Sequence, residues 1–341
     1  MSSNDTIKIG LMGCGHVATY GHLPAIMDTP ALKLNAIFEP NPERLRATQE
    51  QFQVPHAFTD AEAFLASDIE AVTITSPAPV HLHNVLAAAE HRKPVLCEKP
   101  LAMSEGESLR MIEAMQRAGQ PLFVGFTYRF SPTAMQIREL VQRRAIGEVR
   151  SLRLIYLWAC HGKYCVSGDP ASGSNFRRDG RMVEGGPMVD CGVHQIDLAR
   201  WWLGSEVTRQ QAVGIWVDEY DAPDHMYMHL DHANGAHTMV EMSYSYGHTI
   251  AQTRPQFKYE LIGTEGLILF DRESHLFELR NSAGVQTLPY HGEKNFHGMY
   301  AAFADAIRTG QPGPLATAQD GLIATRIATA GVAQVMKNRT K

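Results

Sequence analysis

The sequence predicts an α/β chain in two parts: a doubly wound parallel sheet over residues 1–126, then an α+β domain with a large, open, mainly antiparallel sheet over 127–341. Three observations carry this. Short β-branched apolar runs alternate with helical periods up to residue 125, the pattern of parallel strands joined by crossover helices. A glycine motif, Gly13-x-Gly15-x-x-Ala18, falls between the first apolar run and the first helical period. Beyond residue 204 the strand-like runs follow one another without helices, separated by turn residues, as in an antiparallel sheet. At 341 residues the chain has room for two cores, and its last helix is expected to pack back on the first domain.

Composition narrows the function classes. The apolar share of 44% and charged share of 20% are those of an ordinary globular protein. The net charge of -5 is mild and no basic run stands out, so neither nucleic acid nor an anionic membrane surface is an expected partner. No apolar run reaches the ~18 residues of a membrane span. Residues 1–8 are polar and lack the apolar stretch of an export signal. The five cysteines, Cys14, Cys97, Cys160, Cys165 and Cys191, are odd in number and scattered, which fits a reducing cytoplasm and not a disulfide framework.

The first strand is read over 7–12, and the glycine motif opens a helix that runs to about residue 27. Strand, G-x-G-x-x-A and helix together make the dinucleotide-binding fingerprint of a Rossmann fold. Gly13 permits the tight turn, Gly15 lets the main chain approach a pyrophosphate at the helix N-terminus, and Ala18 lets the helix pack close to the sheet. Cys14, His16 and Val17 complete the loop. The second strand, 34–38, ends in Glu39, where an acid accepts hydrogen bonds from the adenosine ribose and repels a 2′-phosphate. NAD is therefore expected over NADP, with Arg44 the residue that keeps NADP in play.

A helix over 58–66, a strand over 71–75 ending in Ser76-Pro77, a helix over 81–91 and a strand over 94–97 ending in Glu98-Lys99-Pro100 follow. Ser104 and Glu107 make a capping box for the next helix, and 121–125 is a further strand. Ligands of such sheets lie at the carboxyl ends of the strands, so Ser76, Pro77, Glu98 and Lys99 join the candidate cofactor contacts. A lysine there could also hydrogen-bond a substrate oxygen and stabilise developing alkoxide charge. The Lys99-Pro100 bond, in a tight strand-end turn, is expected in cis.

After residue 126 the pattern changes. Tyr128-Arg129-Phe130 leads into a helix over 133–144, and a long strand is read over 149–159. An irregular stretch, 160–186, comes next; loops of that length in compact domains are commonly functional. It carries His161, Lys163, Tyr164, Asn175, Arg177 and Arg178, a donor-rich set suited to a polyhydroxy ligand, and Trp158 stands just before it. Cys160, His161 and Cys165 lack a second cluster at zinc-ligand spacing, so no metal is expected.

The stretch 185–204 reads as one helix, with Pro187 at its start and Gly204 at its stop. Val189, Val193, Ile196 and Leu203 fall on an apolar stripe; Asp190, His194, Asp197 and Trp201 form a second stripe beside it. Asp190 and His194 are neighbours at i and i+4. A carboxylate beside an imidazole orients the ring and raises its proton affinity, as a proton-transfer site requires. The alternative is a surface ion pair on an ordinary helix. Hairpins follow: 226–231 with 237–244 around Ala233-Asn234-Gly235, 259–262 with 267–270, and 276–280 with 285–288. One face of this sheet is expected to carry apolar or aromatic residues from 226–230 and 239–246, and to join subunits. Helices over 295–309 and 316–337 close the chain.

In order and spacing the motifs form a specific set: Gly13-x-Gly15-x-x-Ala18, Glu39, Ser76-Pro77 with His81, Glu98-Lys99-Pro100-Leu101, Tyr128-Arg129-Phe130, Gly185-Gly186, Asp190-x-Gly192-x-His194-x-x-Asp197 and Ile262-Gly263-Thr264-Glu265-Gly266. The set resembles the glucose–fructose oxidoreductase / inositol dehydrogenase (Gfo/Idh/MocA) family, over nearly the whole chain. The resemblance implies hydride transfer between a nicotinamide cofactor and a secondary alcohol of a sugar, glycoside or cyclitol. It implies that His194 takes the hydroxyl proton, that Asp190 orients substrate or imidazole, and that Lys99 polarises the oxygen. It adds His81 to the cofactor contacts and implies a homodimer or homotetramer. Candidate substrate contacts are Lys99, Tyr128, Arg129, Trp158, His161, Lys163, Arg177, Asp190 and His194. Two departures stand out: Ser76-Pro77-Ala78 where the family often has Thr-Pro-Asn, and Thr127 where it often has Asn. Two other classes remain in view: a glycosidase or lyase that oxidises its sugar transiently with bound NAD, and a non-catalytic NAD-binding sensor. The intact Lys99, Asp190 and His194 weigh against the sensor.

Overall fold

The computed structural model describes residues 6–159, 182, 184–217, 220–247, 249–250, 252, 254–291 and 294–339. The chain divides into two compact units, Met1–Phe130 with Lys294–Thr325 and Ser131–Glu293 with Arg326–Lys341.

In the first unit β1 (Ile7–Met12), β2 (Leu32–Phe38), β3 (His56–Phe58), β4 (Ala71–Ile74), β5 (Val95–Cys97) and β6 (Leu122–Val124) run parallel. They alternate with α1 (Leu23–Asp28), α2 (Pro42–Phe52), α3 (Ala61–Leu65), α4 (His81–Glu90) and α5 (Glu105–Ala118). The order β6-β5-β4-β1-β2-β3 reverses between β4 and β1, which opens a crevice at the carboxyl ends of those two strands. β4 and β5 are buried along their whole length, so they read as continuous apolar runs instead of alternating ones. Ser104 accepts the Glu107 N–H at 3.2 Å and starts α5; the Glu107 carboxylate reaches one residue beyond the cap, to the Met103 N–H at 2.9 Å.

Two local expectations are corrected here, and one helix went unread. The helix read over 58–66 is shorter, because Asp60 caps α3 by accepting the Ala63 N–H at 2.8 Å, and Phe58 belongs to β3, paired with Phe38. α2 gave no apolar signal because it buries only Leu45 and Thr48. The first helix is not a plain α-helix: Ala18–His22 forms a π turn before α1.

The second unit contains α6 (Pro132–Gln142), β7 (Val149–Leu157), α7 (Val193–Leu203) and seven further strands. These are β8 (Val207–Ile215), β9 (His225–His232), β10 (His237–Ser243), β11 (Gln256–Gly263), β12 (Gly266–Asp271), β13 (Leu276–Asn281) and β14 (Gly284–Thr287). The eight strands lie in the order β14-β13-β12-β11-β7-β10-β9-β8. All neighbours are antiparallel except β7 and β10. β8 escaped the sequence reading because it is a largely exposed edge strand with little apolar alternation. One face is closed: Leu152, Leu154, Phe257, Tyr259, Leu261, Val240, Met242, Met226, Met228 and Phe270 are buried on it. Trp202 of α7 packs edge-on to Tyr259 and donates its Nε1–H to the Ala134 carbonyl at 2.9 Å.

α8 (Phe296–Thr309), β15 (Ala316–Thr317) and α9 (Ala318–Lys337) complete the chain. Met299, Tyr300 and Phe303 of α8 join the first unit's core with Ile9, Leu11, Ile26 and Phe123. β15 extends that unit's sheet, antiparallel to β6, where the sequence reading began a helix. α9 counts with the first unit through Thr325 and with the second from Arg326. Its last turns lie on the second sheet, where Gln334 accepts the Ala212 N–H at 3.0 Å. Among the described residues no helix is long and apolar enough to cross a membrane.

Candidate active site

The first unit gathers its candidate residues at the carboxyl ends of β1, β2, β4 and β5. Gly13 turns with φ +99, and a Cβ there would stand 2.7 Å from the Ser76 nitrogen, so only glycine fits this crossing of loop and strand end. The loop is pinned from both sides. Gly13 N–H donates to the Phe38 carbonyl at 2.8 Å, and the Thr75 hydroxyl donates to the Gly13 carbonyl at 2.6 Å. Gly15 faces open space, helical residues begin at His16, and Ala18 is fully buried against the sheet. This is a main-chain cradle at the start of a helix, and it fits a dinucleotide pyrophosphate. His16 is exposed and Val17 half-buried in the same turn.

Glu39 is 4% exposed, and both of its oxygens are engaged within the chain. Its Oε2 accepts the Cys14 N–H at 3.0 Å, and its Oε1 accepts Asn41 N–H at 3.1 Å and Arg44 at 3.2 Å. The acid therefore fastens β2 to the glycine loop, and Arg44 shields its outer side. Burial, with Glu39 nearby, pushes the Cys14 thiol up to about 12, which keeps it inert.

Ser76 and Pro77 follow β4, with the Ser76 hydroxyl accepting from Asn84 at 2.9 Å. His81 has Nε2 2.9 Å from the Ser76 carbonyl and Nδ1 3.0 Å from the Pro100 carbonyl. Each ring nitrogen thus faces a main-chain carbonyl and not a ligand, and the neutral ring donates to one of the two. The Lys99-Pro100 bond is cis, as expected. Glu98 is buried; burial pushes its carboxyl up, but the hydrogen bond and charge of His22, with Lys99 and Lys294, hold it below its ordinary value. Lys99 itself is half-buried. Tyr128 is buried with Lys294 5.4 Å over its ring, and Arg129 is buried with Asp320 at 3.4 Å. His22, Tyr300 and Thr73, which close round Glu98, were not singled out in the sequence; they carry no motif spacing.

In the second unit Gly185 and Gly186 take φ +111 and +72, and the chain enters a π turn, Met188–Gly192, before α7. Gly204, φ +56, ends α7 as expected. The helix is not the ordinary surface helix of the alternative reading: Val193 through Arg200 are all buried. That removes the surface ion-pair reading of Asp190 and His194, which are 7% and 2% exposed. The Tyr244 hydroxyl donates to Asp190 Oδ2. Tyr244 packs edge-on to Trp158, which stacks on Tyr156 at 4.1 Å. Tyr244 was missed because it closes a predicted strand, where an aromatic residue needs no special role. Arg200 holds the helix end with two hydrogen bonds to Glu206, both 2.7 Å. His161, Lys163 and Arg177, with Tyr164, Asn175, Arg178, Cys160 and Cys165, lie outside the described residues. Among the described residues no group of three or more His, Cys, Asp or Glu could hold a metal ion.

His81 gives a stability test. Burial pushes its imidazole below the ordinary 6.5, against the carbonyls of Ser76 and Pro100. Well above pH 6.5 the ring is neutral whether the chain is folded or not; as pH falls through 6.5 the unfolded chain takes the proton first, and stability is lost. His81→Gln should therefore flatten the fall of Tm between about pH 7.5 and 5.5. Parallel slopes in variant and wild type would show that His81 is not the titrating group.

Comparison with known proteins agrees with both halves of this geometry. Residues 7–126 match the family profile "Oxidoreductase family, NAD-binding Rossmann fold", and residues 134–269 match the "GFO/IDH/MocA C-terminal domain". D-apiose dehydrogenase of Paraburkholderia graminis is 30% identical over 282 residues, covering 82% of this chain and 71% of that protein. scyllo-Inositol 2-dehydrogenase (NAD(+)) of Bacillus subtilis is 26% identical over 331 residues, covering 93% of this chain and 90% of that protein. Among solved structures, a probable dehydrogenase from Thermotoga maritima has a TM-score of 0.79 at 26% identity, covering 98% of each chain. With a pinned glycine cradle in its first unit and both profiles matched in chain order, the chain belongs to the Gfo/Idh/MocA family of NAD-binding oxidoreductases.

Proposed function

We propose that the chain is an NAD-dependent dehydrogenase acting on a secondary alcohol of a sugar, glycoside or cyclitol. The observation that carries the reading is the burial of Asp190 and His194 where the π turn meets α7. Burying these two ionisable groups brings no stability that aliphatic side chains would not, whereas a proton-transfer site needs them. The relatives named above are dehydrogenases of D-apiose and scyllo-inositol, both polyhydroxy compounds.

NAD, when bound, supplies the hydride acceptor. In this reading the loop from Gly13 to Val17 holds its pyrophosphate, Glu39 its adenosine ribose, and Ser76, Pro77 and Lys99 border the nicotinamide end. Lys99 donates a hydrogen bond to the substrate oxygen and stabilises its developing negative charge. His194 accepts the hydroxyl proton as the carbonyl forms, and returns it in the reverse direction. Asp190, held by the Tyr244 hydroxyl, fixes the orientation of the imidazole or of the substrate. Trp158 and the donors of the 160–186 stretch, His161, Lys163 and Arg177, set substrate choice. A cytoplasmic site of action belongs to the same reading, and the free thiols of Cys14, Cys97 and Cys191 accord with it.

Self-association through the open face of the second sheet is also proposed. That face carries only some of the apolar and aromatic residues that the sequence suggested, mixed with charged ones. Met226, Met228, Val240 and Met242 point to the closed side. The open side carries Tyr227, Met239 and Leu269 among His229, Glu241, Lys258 and Asp271. Light scattering should give a multiple of 37.8 kDa at micromolar concentration; a monomer would remove this part of the proposal.

Two kinetic tests bear on the chemistry. Glu39 should make kcat/KM higher with NAD than with NADP. Glu39→Ala should weaken NAD by roughly 10–100-fold, the size of a charge-assisted hydrogen bond, and narrow the preference. A wild-type enzyme that prefers NADP would contradict this role. For the proton transfer, polyols, aldoses and glycosides are screened for NADH appearance, with free sugar assayed in parallel. Sugar release without net NADH would point to transient oxidation instead. On the substrate found, His194→Ala should lower kcat by roughly 10²–10⁴ and Lys99→Ala should be comparably severe, with NAD affinity nearly unchanged. A loss below about tenfold in His194→Ala would mean that another group is the base.

A further inference from the structure

Glu98 stands at the end of β5, immediately before Lys99, and its two oxygens are engaged differently. Oε1 accepts a hydrogen bond from His22 Nε2 at 2.9 Å, and Oε2 accepts one from the Lys99 main-chain N–H at 3.2 Å. His22 has Nδ1 2.7 Å from the Tyr300 hydroxyl, which lies 3.3 Å from Thr73 Oγ1. His22, Tyr300 and Thr73 have no exposed surface, and all four residues belong to the first unit. Facing a carboxylate, Nε2 must carry its hydrogen whether the ring is neutral or charged. The surroundings are shaped to this arrangement. A Cβ at Gly125 would stand 2.9 Å from Glu98 Oε1, and Phe296 meets the His22 ring edge-on at 4.9 Å.

Aliphatic side chains of similar volume would stabilise this core as well as a buried ion pair does, so stability alone gives no reason for the arrangement. Its endpoints do. It starts in the π turn just after the glycine loop and ends on the main chain of Lys99. We propose that His22, Tyr300 and Glu98 form a positioning relay for Lys99, in which Tyr300 and Thr73 fix the imidazole, the imidazole fixes the carboxylate, and the carboxylate fixes the Lys99 main chain and sets a permanent negative charge near its ammonium. The relay rests on the reading of Lys99 as the group that meets the substrate oxygen.

The titratable and charged groups around Glu98 are His22 in the π turn, Tyr300 on α8, Lys294 just before it, Cys97 and Lys99 on its own strand end, and His81 on α4. Among these, His22, Lys99 and Lys294 favour the ionised carboxylate. The attraction is mutual, so the anion favours the ammonium form of Lys99, the form that can donate to an oxyanion.

Glu98→Gln removes the charge with little change of shape, and Tyr300→Phe removes only a hydroxyl. Trace acetylation of Lys99 with acetic anhydride across a pH series, read by mass spectrometry, follows proton loss from its amine without any substrate. Glu98→Gln should move that titration down by about one pH unit, and Tyr300→Phe should move it less, in the same direction. On the substrate found by screening, Glu98→Gln should lower kcat about tenfold with KM for NAD within about threefold, and Glu98→Gln/Lys99→Ala should be no slower than Lys99→Ala. Unchanged Lys99 titration in both variants, or losses that add in the double variant, would overturn the relay. A shifted titration together with an active Lys99→Ala would support the relay and sink the catalytic reading of Lys99 instead. Should Glu98→Gln fail to fold, the Tyr300→Phe titration alone decides.

Discussion

A carboxylate shut away from water must be matched hydrogen bond for hydrogen bond, and the first unit is arranged around two of them. Glu39 draws the end of β2 onto the glycine loop through the Cys14 and Asn41 amides. Glu98 draws the end of β5 onto the turn after that loop through His22, and onto Lys99 through its main chain. Strands β2 and β5 lie on opposite sides of β1 in the sheet order. The loop that would receive the pyrophosphate is thus anchored from both flanks by buried anions. His81 lies between the Ser76 and Pro100 carbonyls, one at each ring nitrogen.

Each unit also contains a π turn, and each lies next to a candidate site: Ala18–His22 after the glycine loop, Met188–Gly192 before His194. Such turns insert one extra residue into a helix and re-aim the side chains around it, which is why they recur at functional positions. In the first unit the turn ends on His22, fully buried against Glu98 and Tyr300. In the second it contains Asp190, which receives the Tyr244 hydroxyl from beyond the end of β10. In both places a polar contact that an uninterrupted helix would aim elsewhere is made inside a core.

The second unit's sheet separates two tasks by its pleat. Side chains alternate across it, so one set of positions builds an aromatic and aliphatic core under α7 while the other stays partly open. Tyr259, Phe270 and Tyr290 stack in series beneath that core. The helix they help support is buried nearly all round, and its charged members are matched by specific partners such as Glu206 for Arg200. A helix held this firmly gives His194, and Asp190 in the turn before it, fixed positions, as the proposed proton transfer would demand.

The sequence by itself determined the fold class with its parallel and mainly antiparallel sheets, the glycine motif with Glu39 at the next strand end, the cis bond at Lys99-Pro100, and the helical stretch that bears Asp190 and His194. These follow from local rules: apolar period, glycine and proline punctuation, capping residues, and motif spacing that needs no knowledge of distant neighbours. It could not show α2 or β8, whose exposed sides leave no apolar period to read. It left a surface setting for α7 open because what surrounds a helix on its second face is supplied by other segments, here Ala134 and the β10 and β11 side chains. It gave no sign of the π turns, since one inserted residue is invisible in a stripe count. Nor could it pick out His22, Tyr300 and Tyr244: their partners lie 76, 278 and 54 residues away. Only folding brings such groups within hydrogen-bond reach, and only burial makes those bonds obligatory.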